Sequence, residues 1–208
     1  MCYNKDVSRA NFLINIVTTA IEYNLTGDVA SHKICAGFFF FVGLMQLYDW
    51  FFWDHNKRSN SNWIVTKVAM ITNHLQPIVL AILISKYEGR LGRASWLLVS
   101  IYTPLAIAYT IYIWDVVDYT VTDPTTKLLY WKWNDQKYGS PFYALFLATF
   151  SVLMYENFPS PLNVTLLAIN LVSFVLAMYK THYIGERWCE FASVIPVLLI
   201  ALKLEHKL

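Results

Sequence analysis

The sequence predicts an all-α fold: a polytopic transmembrane bundle of about seven helices, with one long loop expected to form a short hairpin. Three observations predict it. Hydrophobic residues make up 57% of the chain and charged ones only 14%, against about 45–50% and about 25% in a soluble domain. The apolar excess is gathered into runs approaching the ~20 residues that carry a helix across ~30 Å of hydrocarbon. Aromatic residues, 17% of the chain, collect at the ends of those runs, where a ring with one polar edge suits the headgroup region.

Six runs are strongly apolar: Ile34–Trp53, Trp63–Ser85, Ala94–Val117, Phe142–Tyr155, Leu162–Tyr179 and Trp188–Leu204. Pro77, Pro104 and Pro196 fall inside them as kinks, tolerable where neighbouring groups re-satisfy the freed carbonyl. The seventh segment, Val7–Leu25, is weaker. Ser8, Asn11, Asn15, Thr18 and Glu22 recur at three- and four-residue steps and so share one helical face. Such a helix either lies on the membrane or spans it with the polar stripe turned inward. The stripe holds no charge before Glu22, whereas surface helices carry several Lys or Arg, so spanning is the preferred reading. The long loop, Asp118–Ser140, contains the turn signal Asp123-Pro124 flanked by β-formers, and its hairpin is expected to cap one mouth of the bundle. Residues 1–208 read as a single transmembrane helical domain.

Composition excludes several classes. A net charge of +2 without a basic block points away from nucleic acid. No phosphate-binding glycine loop or zinc-type cysteine pair occurs, no two histidines are spaced i,i+4, and neither a metal nor a cofactor is expected. Cys2, Cys35 and Cys189 do not suggest a disulfide framework. The N-terminus lacks a signal-peptide pattern, so the first membrane helix is expected to direct insertion. The expected location is the membrane, multi-pass, with the lipid bilayer as partner; compartment and assembly with further copies stay open. Lys and Arg do not decide orientation. The N-terminal face carries more of them, yet the densest basic turn, KYEGRLGR, lies on the other.

Ionisable groups at membrane depth are functional candidates, because burial costs several kcal/mol unless they are paired or hydrated. Asp49 and Lys67 each lie four residues inside a span, ~6 Å below the N-terminal face, and are placed to form an ion pair. Asp115 and Glu190, at helix ends on that face, are alternative partners. A packing bridge is the competing interpretation. Deeper lie Asn73, His74 and Gln76, with Asn170 near the middle of the sixth span. Such a set either relays protons or binds a polar ligand, or serves as interhelical hydrogen bonding worth ~0.6 kcal/mol on average. His74 is expected at the narrow point of any conducting route.

Four short marks carry a resemblance: Met1-Cys2-Tyr3 with Ser8 following, Met45-Gln46 with Asp49 downstream, His74 with Gln76-Pro77, and Trp188-Cys189 opening the last span. In these the chain resembles a family of small, uncharacterised polytopic membrane proteins of bacteria and large DNA viruses. The chain departs from the family pattern at Tyr3-Asn4. The resemblance implies no activity. It implies that Cys2, Gln46, Gln76 and Cys189 belong to one constellation, with Cys2 and Cys189 as a thiol cluster. Seven spans also invite comparison with retinal proteins, but the only lysine of the last span, Lys203, stands near the chain end, and Lys67 is in the wrong helix. The three-histidine pattern of seven-helix metal-dependent hydrolases is missing.

Three functions fit the residues. The first is a channel or transporter moving protons or small ions past Asn15, Glu22, Gln46, Asp49, Lys67, Asn73, His74, Gln76 and Asn170. The second is a membrane-embedded enzyme or redox protein built on Cys2, Cys189 and the acidic groups near the N-terminal face. The third is a structural protein, which requires its polar residues to pair off completely. Conduction is the expectation, because polar residues occur at every depth.

Overall fold

A computed structural model describes residues 4–25, 29–180 and 195–204. Seven α-helices are seen among them: α1 (Lys5–Leu25), α2 (Ala30–Asp54), α3 (Asn60–Glu88), α4 (Arg93–Tyr112), α5 (Gly139–Asn157), α6 (Leu162–Lys180) and α7 (Ile195–Leu204). Three of them, α2, α3 and α4, are long and apolar enough to cross a membrane. The architecture is therefore an all-α membrane protein with several spans, as the apolar runs predict.

Neighbouring helices pack in chain order from α1 to α6, α3 also meets α5, and α7 returns against α1 and α2. Phe38, Val42 and Met45 from α2 meet Met70 of α3 and Phe142, Phe146 and Phe150 of α5 in the buried core. Phe38 and Phe150 join the two sides, with ring centroids 5.1 Å apart. The outer surface is apolar as well: Leu97, Leu105 and Ile111 of α4 are exposed. Exposed leucine and isoleucine along a whole helix face suit hydrocarbon as the surrounding medium.

Helix α1 turns a polar face inward. Ser8, Asn15, Thr19 and Glu22 are buried against the bundle, while Leu13, Ile14, Val17 and Ile21 are exposed. That is the inverse of a helix resting polar side up on the membrane. Asn15 donates from Nδ2 to the Phe39 carbonyl at 3.1 Å, and Gly43 leaves the room for it, since a β-carbon there would collide with the Asn15 amide.

Helix α4 ends five residues before the sequence boundary at Val117, because residues 113–116 coil into turns. The Lys67 ammonium, from α3, donates to the Trp114 and Val117 carbonyls there. At the other end of α4, the Glu156 carboxylate accepts from the Ala94 and Ser95 amides at 3.2 and 2.7 Å, and Asn157 accepts from Gly92 N at 2.8 Å. These are the donors that a helix N-terminus leaves without intrahelical partners.

The expected hairpin is present. Strands β1 (Val121–Thr122) and β2 (Leu129–Tyr130) pair antiparallel, with Val121 opposite Tyr130. A short 3₁₀ turn (Lys132–Asp135) leads on to α5. At the hairpin tip, amide donation from Thr126 and Thr125 holds the Asp123 carboxyl below the ordinary aspartate range.

Candidate functional site

The hairpin is a cap seated on the mouth formed by α2 and α3. Asn62, one turn into α3, organises it. Its Nδ2 donates to the carbonyls of His55 and Thr120 at 2.9 and 2.8 Å. Its Oδ1 accepts from the Thr120 amide at 3.1 Å and the Thr66 hydroxyl at 3.2 Å. Leu129, Trp131 and Trp133 are fully buried beneath the cap. The two indoles stack with centroids 5.1 Å apart, and Trp131 Nε1 donates to Asp49 Oδ1 at 2.9 Å.

This arrangement replaces the expected Asp49–Lys67 ion pair, which does not form. Lys67 is drawn to the carbonyls after α4, where helix C-termini favour cations. Its ammonium also lies 4.8 Å from the Trp114 ring centroid. Asp49, on α2, is met instead by the cap. Asp115 is exposed on the outside of the bundle. Cys2, Cys189 and Glu190 lie outside the described residues, so the expected thiol cluster is not among the features seen.

The midplane set is divided by helix geometry. His74 and Gln76 are two positions apart, about 200° around the helix axis. His74 faces α4 and α5. Its Nδ1 lies 2.7 Å from Thr110 Oγ1, whose hydroxyl donates to the Ala106 carbonyl at 2.7 Å. With the single Thr110 proton on the Ala106 carbonyl, Nδ1 carries the ring proton. Nε2 is then an acceptor, and it has no partner among the described residues. The ring is enclosed by Phe142, Tyr109 and Tyr143, with centroids 4.8, 5.6 and 6.2 Å away. Asn73 turns to α5, where its Oδ1 accepts from the Tyr143 hydroxyl at 2.7 Å. Gln76 shares the face of Thr72, which meets Tyr48 of α2 at 3.2 Å. Gln76 is fully buried, and neither amide atom has a partner among the described residues. Asn170 is buried on α6, with Oδ1 unpartnered among them.

At the end of α2 away from the cap, sequence reasoning missed a pair. Glu22 of α1 and His32 of α2 are both buried, with Oε1 and Nδ1 3.4 Å apart. The signal was available. Two consecutive helices packed antiparallel bring residues 22 and 32 level. Asn15 opposite Phe39 continues the same register.

The polar groups along α2 therefore form a series. Asp49 lies under the cap, Gln46 is buried one turn deeper, Asn15 stands at Phe39 and Gly43, and Glu22–His32 closes the far end. Asp49 and His32 are seventeen positions apart on one helix, about 25 Å at 1.5 Å per residue. No known protein family, curated protein or solved structure matches the chain.

Proposed function

We propose that this protein moves protons or small ions across the bilayer along the seam between α1 and α2, under the cap. The observation that carries the proposal is the series of buried polar side chains on that seam, with an ionisable group at each end and amides between. Its ~25 Å length nearly matches the ~30 Å hydrocarbon core. Burying such groups is expensive without a use or a partner. A purely structural bundle would pair them off completely, and the fully buried Gln76, on the face of α3 that Thr72 turns to α2, argues against that reading. Glu22–His32 is a titratable pair suited to taking up or releasing a proton, and Asp49 is its counterpart beneath the cap. His74 stands off the seam, on the α4 side.

Purified protein in liposomes tests the proposal. Wild type is expected to pass protons or a common monovalent ion under an imposed potential. Glu22→Gln and Asn15→Leu should each lower that flux at least about tenfold, the scale of an interaction worth 1.4 kcal/mol. His74→Gln should leave both flux and pH profile as they were. The absence of any flux in wild type overturns conduction. A pH profile that moves with His74→Gln but not with Glu22→Gln relocates the route to the α3–α4 side.

A further inference from the structure

We propose that the cleft at the α3–α4 turn binds the phosphate of an anionic phospholipid, with Arg90 and Arg93 supplying the charge. The cleft encloses about 460 Å³ and is lined by Glu88, Arg90, Gly92, Arg93 and Glu156, among others. That volume falls in the ~300–1,000 Å³ range of small-ligand sites.

The turn joins two helices long enough to cross a membrane, so it sits at a membrane face. The local chemistry narrows what the cleft can recognise. The backbone donors at the start of α4 are already taken by Glu156 and Asn157. Neither guanidinium has a hydrogen bond or ion pair among the described residues, although both side chains belong to exposed residues. With Glu156 committed to the α4 amides, Glu88 is the remaining carboxylate facing two arginines, and Lys86 stands a turn below them. The lining itself is balanced, Arg90 and Arg93 against Glu88 and Glu156, and Lys86 beside it leaves this end of the two helices with one positive charge. Guanidinium is the cation whose planar fork matches phosphate oxygens.

The lipid half of the assignment comes from α4. Trp96, 63% exposed, follows the cleft directly, and exposed Leu97, Ile101 and Leu105 continue away from it along the helix. An indole at the headgroup level followed by an apolar track is what a phospholipid needs beside its phosphate. A free phosphate would have no use for that track.

The test is lipid retention by the full chain. Protein purified in neutral detergent is passed through nanodiscs of phosphatidylglycerol or of phosphatidylcholine, and bound lipid is counted by native mass spectrometry. Phosphatidylglycerol should be retained in preference. Arg90→Gln with Arg93→Gln should weaken that retention about thirtyfold, at roughly a kcal/mol per surface cation. Lys57→Gln with Arg58→Gln, a basic pair on the other face, should leave it unchanged. Equal retention of both lipids, or equal loss in the two double variants, overturns the proposal. Displacement of bound lipid by an equal concentration of inorganic phosphate overturns the lipid assignment. Circular dichroism of each variant confirms that its helices are intact.

Discussion

Asn62→Ala should release the cap. The side chain makes four hydrogen bonds, and their loss is unequal. The His55 carbonyl belongs to an exposed residue and regains water. The Thr120 amide keeps a second acceptor in the Thr66 hydroxyl at 2.9 Å. The Thr120 carbonyl, in a fully buried residue, loses its donor. A buried group left unsatisfied costs about 1–3 kcal/mol, and each replaceable bond about 0.5–1.5. Together these give about 2–4 kcal/mol against the closed cap. At 1.4 kcal/mol per decade, opening becomes about thirtyfold to several hundredfold more frequent. Hydrogen exchange at the Thr120 amide reads this directly, because that amide is protected only while the cap is seated. Asn56→Ala removes two exposed bonds to Thr122 and should raise the rate less than about fivefold, on the ~1 kcal/mol scale of solvated bonds. Amides in the middle of α3 serve as the control for global unfolding. The reasoning fails if Asn62→Ala speeds Thr120 exchange no more than Asn56→Ala does.

Gly43→Ala should destabilise the α1–α2 pair by about 1–3 kcal/mol through overpacking against Asn15, measured by denaturant titration in detergent micelles. The Asp123 turn has a definite pH response. A carboxyl held below its ordinary range adds stability that is complete above the ordinary aspartate pKa and vanishes as pH falls through the lower folded value. The Thr125 and Thr126 amides should therefore stay protected through mildly acidic pH and exchange faster only below the usual aspartate range, while Asp123→Asn should remove that pH dependence. Reporter fusions at the two ends should place the termini on opposite faces; finding both in one compartment would remove one helix from the set of spans.

What could be read in advance followed from period and length. The three-and-four-residue polar stripe of α1 predicts a buried face, and Ser8, Asn15 and Glu22 lie on it. Asn11 and Thr18 are only half-buried, and Thr19, beside the latter, is the buried threonine. The turn chemistry at Asp123-Pro124 likewise locates the hairpin. Pairing between distant segments was less legible. Asp49 and Lys67 stand at equal depth, which allowed an ion pair, but depth does not specify direction around a helix. Trp131 reaches Asp49 from a loop 82 positions away, and nothing in the local pattern announces that. His74 and Gln76 show the same limit, since two positions of separation put their side chains on different sides of α3. The Glu22–His32 pair needed only α1 and α2 to be packed against each other.

Helix α4 carries a charge of the matching sign at each end, Glu156 near its amides and Lys67 on the carbonyls just beyond it. In mechanical terms it is a strut with both bearings fixed. Sliding along its own axis would strip one bearing or the other, each a charge-assisted contact of about 1.5–3 kcal/mol. Tilting about either end breaks neither. Because Lys67 belongs to α3 and Glu156 to α5, a shift of one of those helices along the membrane normal is passed through α4 to the other. Motion in this part of the bundle is thus confined to leaning, with three helices holding a common height in the bilayer.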